Sequence, residues 1–215
     1  MRTVLVIGMG EFGRHLAYRL LELKADVCIV DKSKELINIL SEDFENAYVA
    51  DCTQDIALRD LGIASFDTCV VSVGEDFQSS LEITSKLKEQ GAKFIIAKAS
   101  SDLQSKFLIM AGANEAVYPE KDVANKIAVK CVANNLLDVF EISDQYSVFE
   151  IRVLEEWVGK ALKNSNIRLK YNLNVIAIKN GSKITIPDAD YVFKATDTVF
   201  VFGKSSTAKK LSKEA

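Results

Sequence analysis

Proline is nearly missing from this chain, with 2 residues among 215, and histidine occurs once, as His15. So little proline excludes a collagen-like or polyproline architecture and points to a folded globular protein. No apolar run approaches the roughly 20 residues that a membrane span requires. The opening MRTVLVIGMGEFG breaks into glycines instead of running on to a small-residue cleavage site, so no secretory signal is expected. A surplus of positive charge is also missing: the net charge is −3 and the pI near 5.4. A grip on nucleic-acid phosphates or anionic lipid needs basic groups gathered on one face, so nucleic acid is not an expected partner. The cysteines, Cys28, Cys52, Cys69 and Cys131, never approach Cys-x-x-Cys spacing and read as small core residues in a reducing cytoplasm.

What is present is apolar content of 48%, enough for one large or two modest domains in a chain of this length. From Thr3 to about Tyr118, short β-branched runs alternate with longer amphipathic stretches, the pattern of parallel strands joined by crossover helices. Strands are expected at Thr3–Ile7, Asp26–Val30, Ala47–Val49, Thr68–Ser72, Phe94–Ala97 and Ala116–Tyr118. Apolar residues at three- and four-residue spacing place helices at Gly13–Lys24, Lys34–Glu42, Gln54–Leu61, Gln78–Gln90 and Leu103–Ala111. The fold class is therefore α/β, a Rossmann-like doubly wound parallel sheet of six strands, full by about Pro119.

Beyond it, Val123, Ile127, Ala128, Val132, Leu136 and Leu137 predict a long crossover helix over Lys121–Leu137, and Asp138–Gln145 reads as a hinge. Shorter strands follow at Ser147–Val153, Asn174–Lys179, Lys183–Ile186 and Thr198–Phe202, with helices near Leu162 and after Ser205. This predicts a nucleotide-binding domain with its crossover helix over 1–137 and a small α+β domain over 138–215.

The chemistry concentrates in the first turn. Val4–Ile7 is an apolar strand, Gly8-Met9-Gly10-Glu11-Phe12-Gly13 the turn, and Arg14 to Leu23 an amphipathic helix. Gly8 permits the tight turn, Gly10 lets the backbone approach a diphosphate, and Gly13 lets helix and strand pack closely. The amides and positive end of the helix attract the phosphates. Asp31 ends the next strand, eighteen residues after Gly13, where its carboxylate can accept from both ribose hydroxyls and repel a 2′-phosphate; Lys32 follows it. At the third strand end Asp51, Cys52 and Thr53 either border an adenine or cap the helix near Gln54, and both readings stay open. At the fourth, Val73, Gly74 and Glu75 turn over the same crevice, with capping of the next helix the simpler role.

A hydride-transfer enzyme would also need a proton-handling group facing the cofactor. No tyrosine here has a lysine four residues on, His15 lies within the first helix, and neither a Cys/His/Asp cluster nor Gly-x-Ser-x-Gly occurs. The pattern favours a binding protein over the alternative, a small NAD-dependent oxidoreductase.

The ordered set Gly8–Gly13, Asp31, Ala50-Asp51-Cys52-Thr53, Ser72-Val73-Gly74-Glu75-Asp76 and Gly112-Ala113-Asn114-Glu115 through Tyr118-Pro119-Glu120-Lys121-Asp122 resembles the regulatory subunits of Trk/Ktr potassium uptake systems. These KtrA/TrkA-type proteins pair an RCK nucleotide-binding domain with an RCK C-terminal domain. The resemblance implies a non-enzymatic gating subunit in the cytoplasm, a homodimer assembling into an octameric ring under a membrane potassium-transporting subunit. It implies an adenine nucleotide (ATP/ADP or NAD/NADH) as ligand, with Lys98 facing its terminal phosphate. Glu120 corresponds to a carboxylate that helps hold a divalent cation, Mg or Ca, although a first-turn glutamate also complements a helix dipole. Glu11 stands where ATP-responsive relatives carry arginine, which leaves NAD(H) or ADP open. In the C-terminal domain Ile167, Arg168, Asn174, Val175 and Ile176 fall where some relatives bind cyclic di-AMP; the plainer reading is a core strand with a surface arginine.

Overall fold

The protein is described by a computed structural model over residues 1–73, 76–132, 135–143 and 145–207. Its chain divides into two compact units, Met1–Glu120 and Lys121–Ala215. The units meet along the chain inside the crossover helix rather than at 137/138.

In the first unit six strands form one parallel sheet: β1 (Thr3–Ile7), β2 (Asp26–Asp31), β3 (Asn46–Val49), β4 (Thr68–Val71), β5 (Ile95–Lys98) and β6 (Glu115–Val117). Each lies within one residue of its expected bounds. Their spatial order is β3-β2-β1-β4-β5-β6, which puts the reversal of winding between β1 and β4. Five helices link them: α1 (Glu11–Glu22), α2 (Lys34–Leu40), α3 (Asp55–Leu61), α4 (Phe77–Glu89) and α5 (Asp102–Met110). A parallel sheet buried on both faces needs two cores. One gathers Leu5, Ile7, Val30, Leu58, Ile83 and Leu108, the other Val4, Val6, Met9, Ile29, Ile37 and Phe44. Successive residues of β1 thus enter opposite cores, as the two-residue period of a strand dictates.

The second unit begins in α6 (Pro119–Val132) and is built on a five-stranded antiparallel sheet. Its strands are β7 (Leu136–Glu141), β8 (Tyr146–Arg152), β9 (Asn174–Asn180), β10 (Lys183–Thr185) and β11 (Asp197–Lys204), in the order β10-β9-β11-β8-β7. Two expectations are corrected here. Leu136 and Leu137, expected in the last turn of the helix, lie in strand β7, and half of the expected hinge, Asp138–Glu141, belongs to the same strand, paired antiparallel with β8. Leu136, read as part of a helical stripe, is 3% exposed in the second core beside Phe149, Ile151 and Trp157. Pairing with β8 outweighed a short apolar spacing that fits either period.

The helix expected near Leu162 is only a 3-10 turn over Leu162–Asn164, and α7 (Ile167–Tyr171) follows it. Asn166 and Asn172, both left-handed with φ 53° and 55°, bound α7 on either side. The Ile167–Arg168 pair is therefore helical, not part of a core strand. After Ser205 a 3-10 turn runs to Thr207, and the rest of the helix expected there lies outside the described residues.

Candidate functional site

The carboxyl ends of β1 and β2 converge on the glycine turn. Gly8 takes φ +91°, a conformation costly for side-chain-bearing residues. A Cβ on Gly13 would lie 2.1 Å from the Gly8 carbonyl oxygen, so only glycine lets α1 sit this close to the strand end. Around the position of a Cβ on Gly10 nothing lies within 4 Å, and α1 starts there without a side-chain cap. Amides at such an uncapped helix start can donate to an anion. Met9 contributes its backbone, because its side chain is fully buried in the core.

Asp31 clamps this turn to the start of α2. Its Oδ2 accepts from the Met9 amide at 2.7 Å and its Oδ1 from the Ser33 amide at 2.8 Å. Each carboxylate oxygen keeps a second acceptor direction, so both remain able to accept from ribose hydroxyls. Ser33 caps α2 by accepting from the Leu36 amide. One structural contribution went unnoticed in the sequence: Ser72, at the end of β4, donates its hydroxyl to the Gly8 carbonyl across 64 residues of chain. No local pattern could announce a contact of that span.

At the β3 end, Asp51 Oδ1 accepts from the Thr53 amide at 3.0 Å and hydroxyl at 2.7 Å. This turn, with help from Lys32 and Lys86, holds the Asp51 carboxyl below the usual carboxylate range. Neither residue caps α3, whose N-cap is Gln54 without a side-chain hydrogen bond. Cys52 points into the core, and burial raises its thiol to about 12. It offers the crevice backbone only. Cys28 and Cys69 are likewise buried, whereas Cys131 is exposed on α6, against the expectation that all four are core residues. Asp76 caps α4, accepting from the Ser79 amide at 3.1 Å and hydroxyl at 2.7 Å. Val73 packs against the core and would meet a Cβ on Gly8 at 2.9 Å, while Gly74 and Glu75 lie outside the described residues.

On the other side of the turn, Lys98 Nζ lies 2.7 Å from Glu120 Oε1 and 5.8 Å from the centroid of the Phe12 ring. The structure thus pairs with each other two residues expected to serve a phosphate and a cation. The Lys98 ammonium, through its hydrogen bond, keeps the Glu120 carboxyl below its usual range. Among the described residues no group of three or more His, Cys, Asp or Glu is placed to hold a metal ion. Glu11 is exposed and pairs with Arg14, with His15 Nε2 at 3.8 Å. His15 itself is 85% exposed on α1.

The second unit holds a separate cleft of 300 Å³, lined among others by Lys163, Asn166, Ile167, Arg168, Asn174 and Val175. It brings together four of the five residues expected there; Ile176 is exposed outside that lining. Glu156 holds the last turn of α7, accepting from Lys170 Nζ at 2.9 Å and the Tyr171 hydroxyl at 2.7 Å.

A parallel sheet in this order, with a glycine turn and an acidic residue ending β2, defines a Rossmann-type nucleotide-binding domain joined to a small antiparallel domain. Residues 4–119 match the TrkA-N domain and residues 148–215 the TrkA-C domain. The chain belongs to the TrkA/KtrA family of potassium-uptake regulatory proteins. It is 34% identical to Ktr system potassium uptake protein C of Bacillus subtilis (strain 168), covering 97% of this chain and 95% of that protein. It is 30% identical to Ktr system potassium uptake protein A of the same organism, with the same coverage. Among solved structures the GsuK channel bound to NAD superposes with a TM-score of 0.72 at 19% identity. That match covers 99% of this chain and 39% of that one, so this chain spans about two fifths of the channel's length. Among the described residues no helix is long and apolar enough to cross a membrane.

Proposed function

We propose that this protein is the nucleotide-sensing gating subunit of a potassium uptake system, in which the first unit binds an adenine nucleotide and passes its state to a membrane partner. The observation that carries this reading is the Asp31 carboxylate, held by the Met9 and Ser33 amides beside the uncapped start of α1. Gly8, Gly10 and Gly13 shape the diphosphate seat there, Lys32, Asp51 and Thr53 border the adenosine, and Lys98 faces the distal end of the ligand. Membership of the Ktr family supplies the transport context, and the NAD named for the GsuK channel, which shares the fold, makes a dinucleotide the first ligand to try. Pairing of Glu11 with Arg14 lowers its repulsion toward phosphates, which keeps ATP and ADP beside NAD(H) as candidates. A divalent cation, where bound, would meet Glu120 only after that carboxylate leaves Lys98.

Among the described residues no histidine is placed in the crevice to move a proton for chemistry, the sole one, His15, being 85% exposed on α1 beside Glu11. The ligand therefore acts through its differential affinity for two conformations of the assembly. We assign the pairing of subunits to the crossover helix, whose Val123 and Ile127 are both 54% exposed. The octameric ring and its seat at the inner face of the membrane follow from the family resemblance. The cleft at Arg168 is proposed as a second ligand site for cyclic di-AMP, its guanidinium meeting phosphate and its apolar wall the adenines.

A thermal-shift panel of ATP, ADP, NAD⁺, NADH and cyclic di-AMP, each with and without magnesium, tests the reading, because a ligand favouring the folded state raises the melting temperature. At least one adenine nucleotide should stabilise the protein. No shift with any of them, or turnover of NADH with a substrate, would overturn the sensor reading; co-purification with a membrane potassium transporter would bear on the partner.

A further inference from the structure

Lys86 projects from α4 as a cation whose side chain is only 21% exposed. Its Nζ donates to the Thr53 carbonyl and lies 3.0 Å from Asp55 Oδ1, at the start of α3, and 3.0 Å from Glu82 Oε1, one turn earlier on α4. An ammonium has three donors, and these three acceptors use all of them. The group therefore has no donor left for a ligand, and it acts on the site through its partners.

Those partners surround a strand end that the sheet supports on one side only. β3 is an edge strand and pairs with β2 alone. Its ladder ends where the Ala50 amide donates to the Asp31 carbonyl at 3.0 Å. Beyond that bond the chain leaves the sheet, and Asp51 and Thr53 are shaped by their own turn. Lys86 reaches this turn from 33 residues away. Its anchor is packed, because Ile83 and Leu87 of α4 enter the same core as Leu58 of α3. Its charge, with that of Lys32 and the two Thr53 donors, also keeps Asp51 ionised, so that this carboxylate is an acceptor only.

We propose that Lys86 is a positioning residue for the adenosine end of the bound nucleotide: by tying the Thr53 carbonyl to Asp55 and Glu82, it fixes the wall on which the base rests without touching the ligand. A wall held in register can meet the exocyclic amino group of adenine with an acceptor, and a site built to do so rejects an analogue that lacks the group. Lys86 thus sets discrimination at the base and leaves the phosphates to the glycine turn.

The inference rests on the nucleotide reading above, and its test separates the two. Calorimetric titration of the full chain uses two matched pairs, ADP with inosine diphosphate and NAD⁺ with its hypoxanthine analogue; in each pair a carbonyl oxygen replaces the exocyclic amino group. The adenine member should bind the wild type more tightly. Lys86→Met should weaken that member about three- to tenfold, the span of one hydrogen bond's net contribution, and weaken the hypoxanthine member less, so that the ratio narrows. Lys86→Arg keeps a cation with several donors and should recover most of the ratio. Should Lys86→Met fail to fold, Glu82→Gln, which loosens the same tie while sparing the Thr53 contact, should narrow the ratio to a smaller extent. Lost stability alone would weaken both members of a pair by the same factor. Unchanged affinities, or a loss shared equally by both members, in a protein whose wild type binds either pair, overturns the positioning role and leaves the nucleotide site standing. A wild type that binds neither pair removes the site and the inference together.

Discussion

The two units handle polar chemistry in opposite ways. In the first, the candidate site is laid out by backbone: the Met9 and Ser33 amides hold the Asp31 carboxylate beside the uncapped start of α1. In the second, the candidate site is walled by side chains, the 300 Å³ cleft being lined by residues of α7 and β9 with α7 held in place by Glu156. The first sheet is buried on both faces by helices, whereas the second rests on a single core around Trp157. A site made of backbone demands glycines at particular positions and tolerates few substitutions. A site made of side chains on short elements can change its ligand without changing its fold.

That contrast is open to measurement because Trp157, the chain's one tryptophan, lies fully buried in the second core and reports on it alone. The largest effect is expected for Gly13→Ala, whose new methyl would meet the Gly8 carbonyl and the Ser72 hydroxyl. Overpacking against backbone should cost about 3 kcal/mol, seen as a lower circular-dichroism midpoint in denaturant while the Trp157 fluorescence transition stays put. Movement of both transitions together would show that the two units do not unfold separately.

Next comes the mirror experiment in the second unit. Asp197 is 2% exposed and accepts from Asn180 at 2.6 Å, the Lys194 amide at 2.8 Å and the Tyr191 hydroxyl at 2.9 Å. Burial alone would push its carboxyl up, but these donors outweigh it and hold it down. Asp197→Ala strands them and should cost about 2–3 kcal/mol, now in the fluorescence transition.

Asp31→Ala tests function rather than stability: loss of a charged acceptor for two amides and the ribose should weaken nucleotide binding by about tenfold or more in calorimetry. Undiminished affinity would move the ligand away from this turn.

The smallest effect is expected from pH. Lys170, then Tyr171 and Trp157, hold the Glu156 carboxyl below its ordinary 4.5. A depressed carboxylate lends stability above its unfolded-state pKa and loses it as pH falls through the folded-state value. The Trp157-monitored stability should therefore decline as pH drops below about 4.5, and Glu156→Gln should show a shallower decline.

The first unit was far more legible than the second. Its strands fall within a residue of expectation because β-branched runs bounded by turn residues have few other solutions in a parallel sheet. Gly8 and Gly13 announced the turn because conformation at the first and close approach at the second admit no other residue there. In the second unit Leu136 and Leu137 fit a helix as well as a strand, and only pairing with β8 decided between them. The brevity of α7 depends on left-handed asparagines at both its flanks, which the local pattern does not reveal.

From residue order alone came the class of fold, the glycine turn, Asp31 as the acidic end of β2, and the resemblance to the family; all are read from local strand, turn and helix patterns and their order along the chain. Tertiary structure decided that Ser72 pins Gly8, that the Asp31 carboxylate clamps two amides, and that Lys98 is held by Glu120. Apart from the Ser33 amide on Asp31, those contacts join residues 22 to 64 positions apart, and charge pairing over such spans depends on where the sheet delivers the side chains.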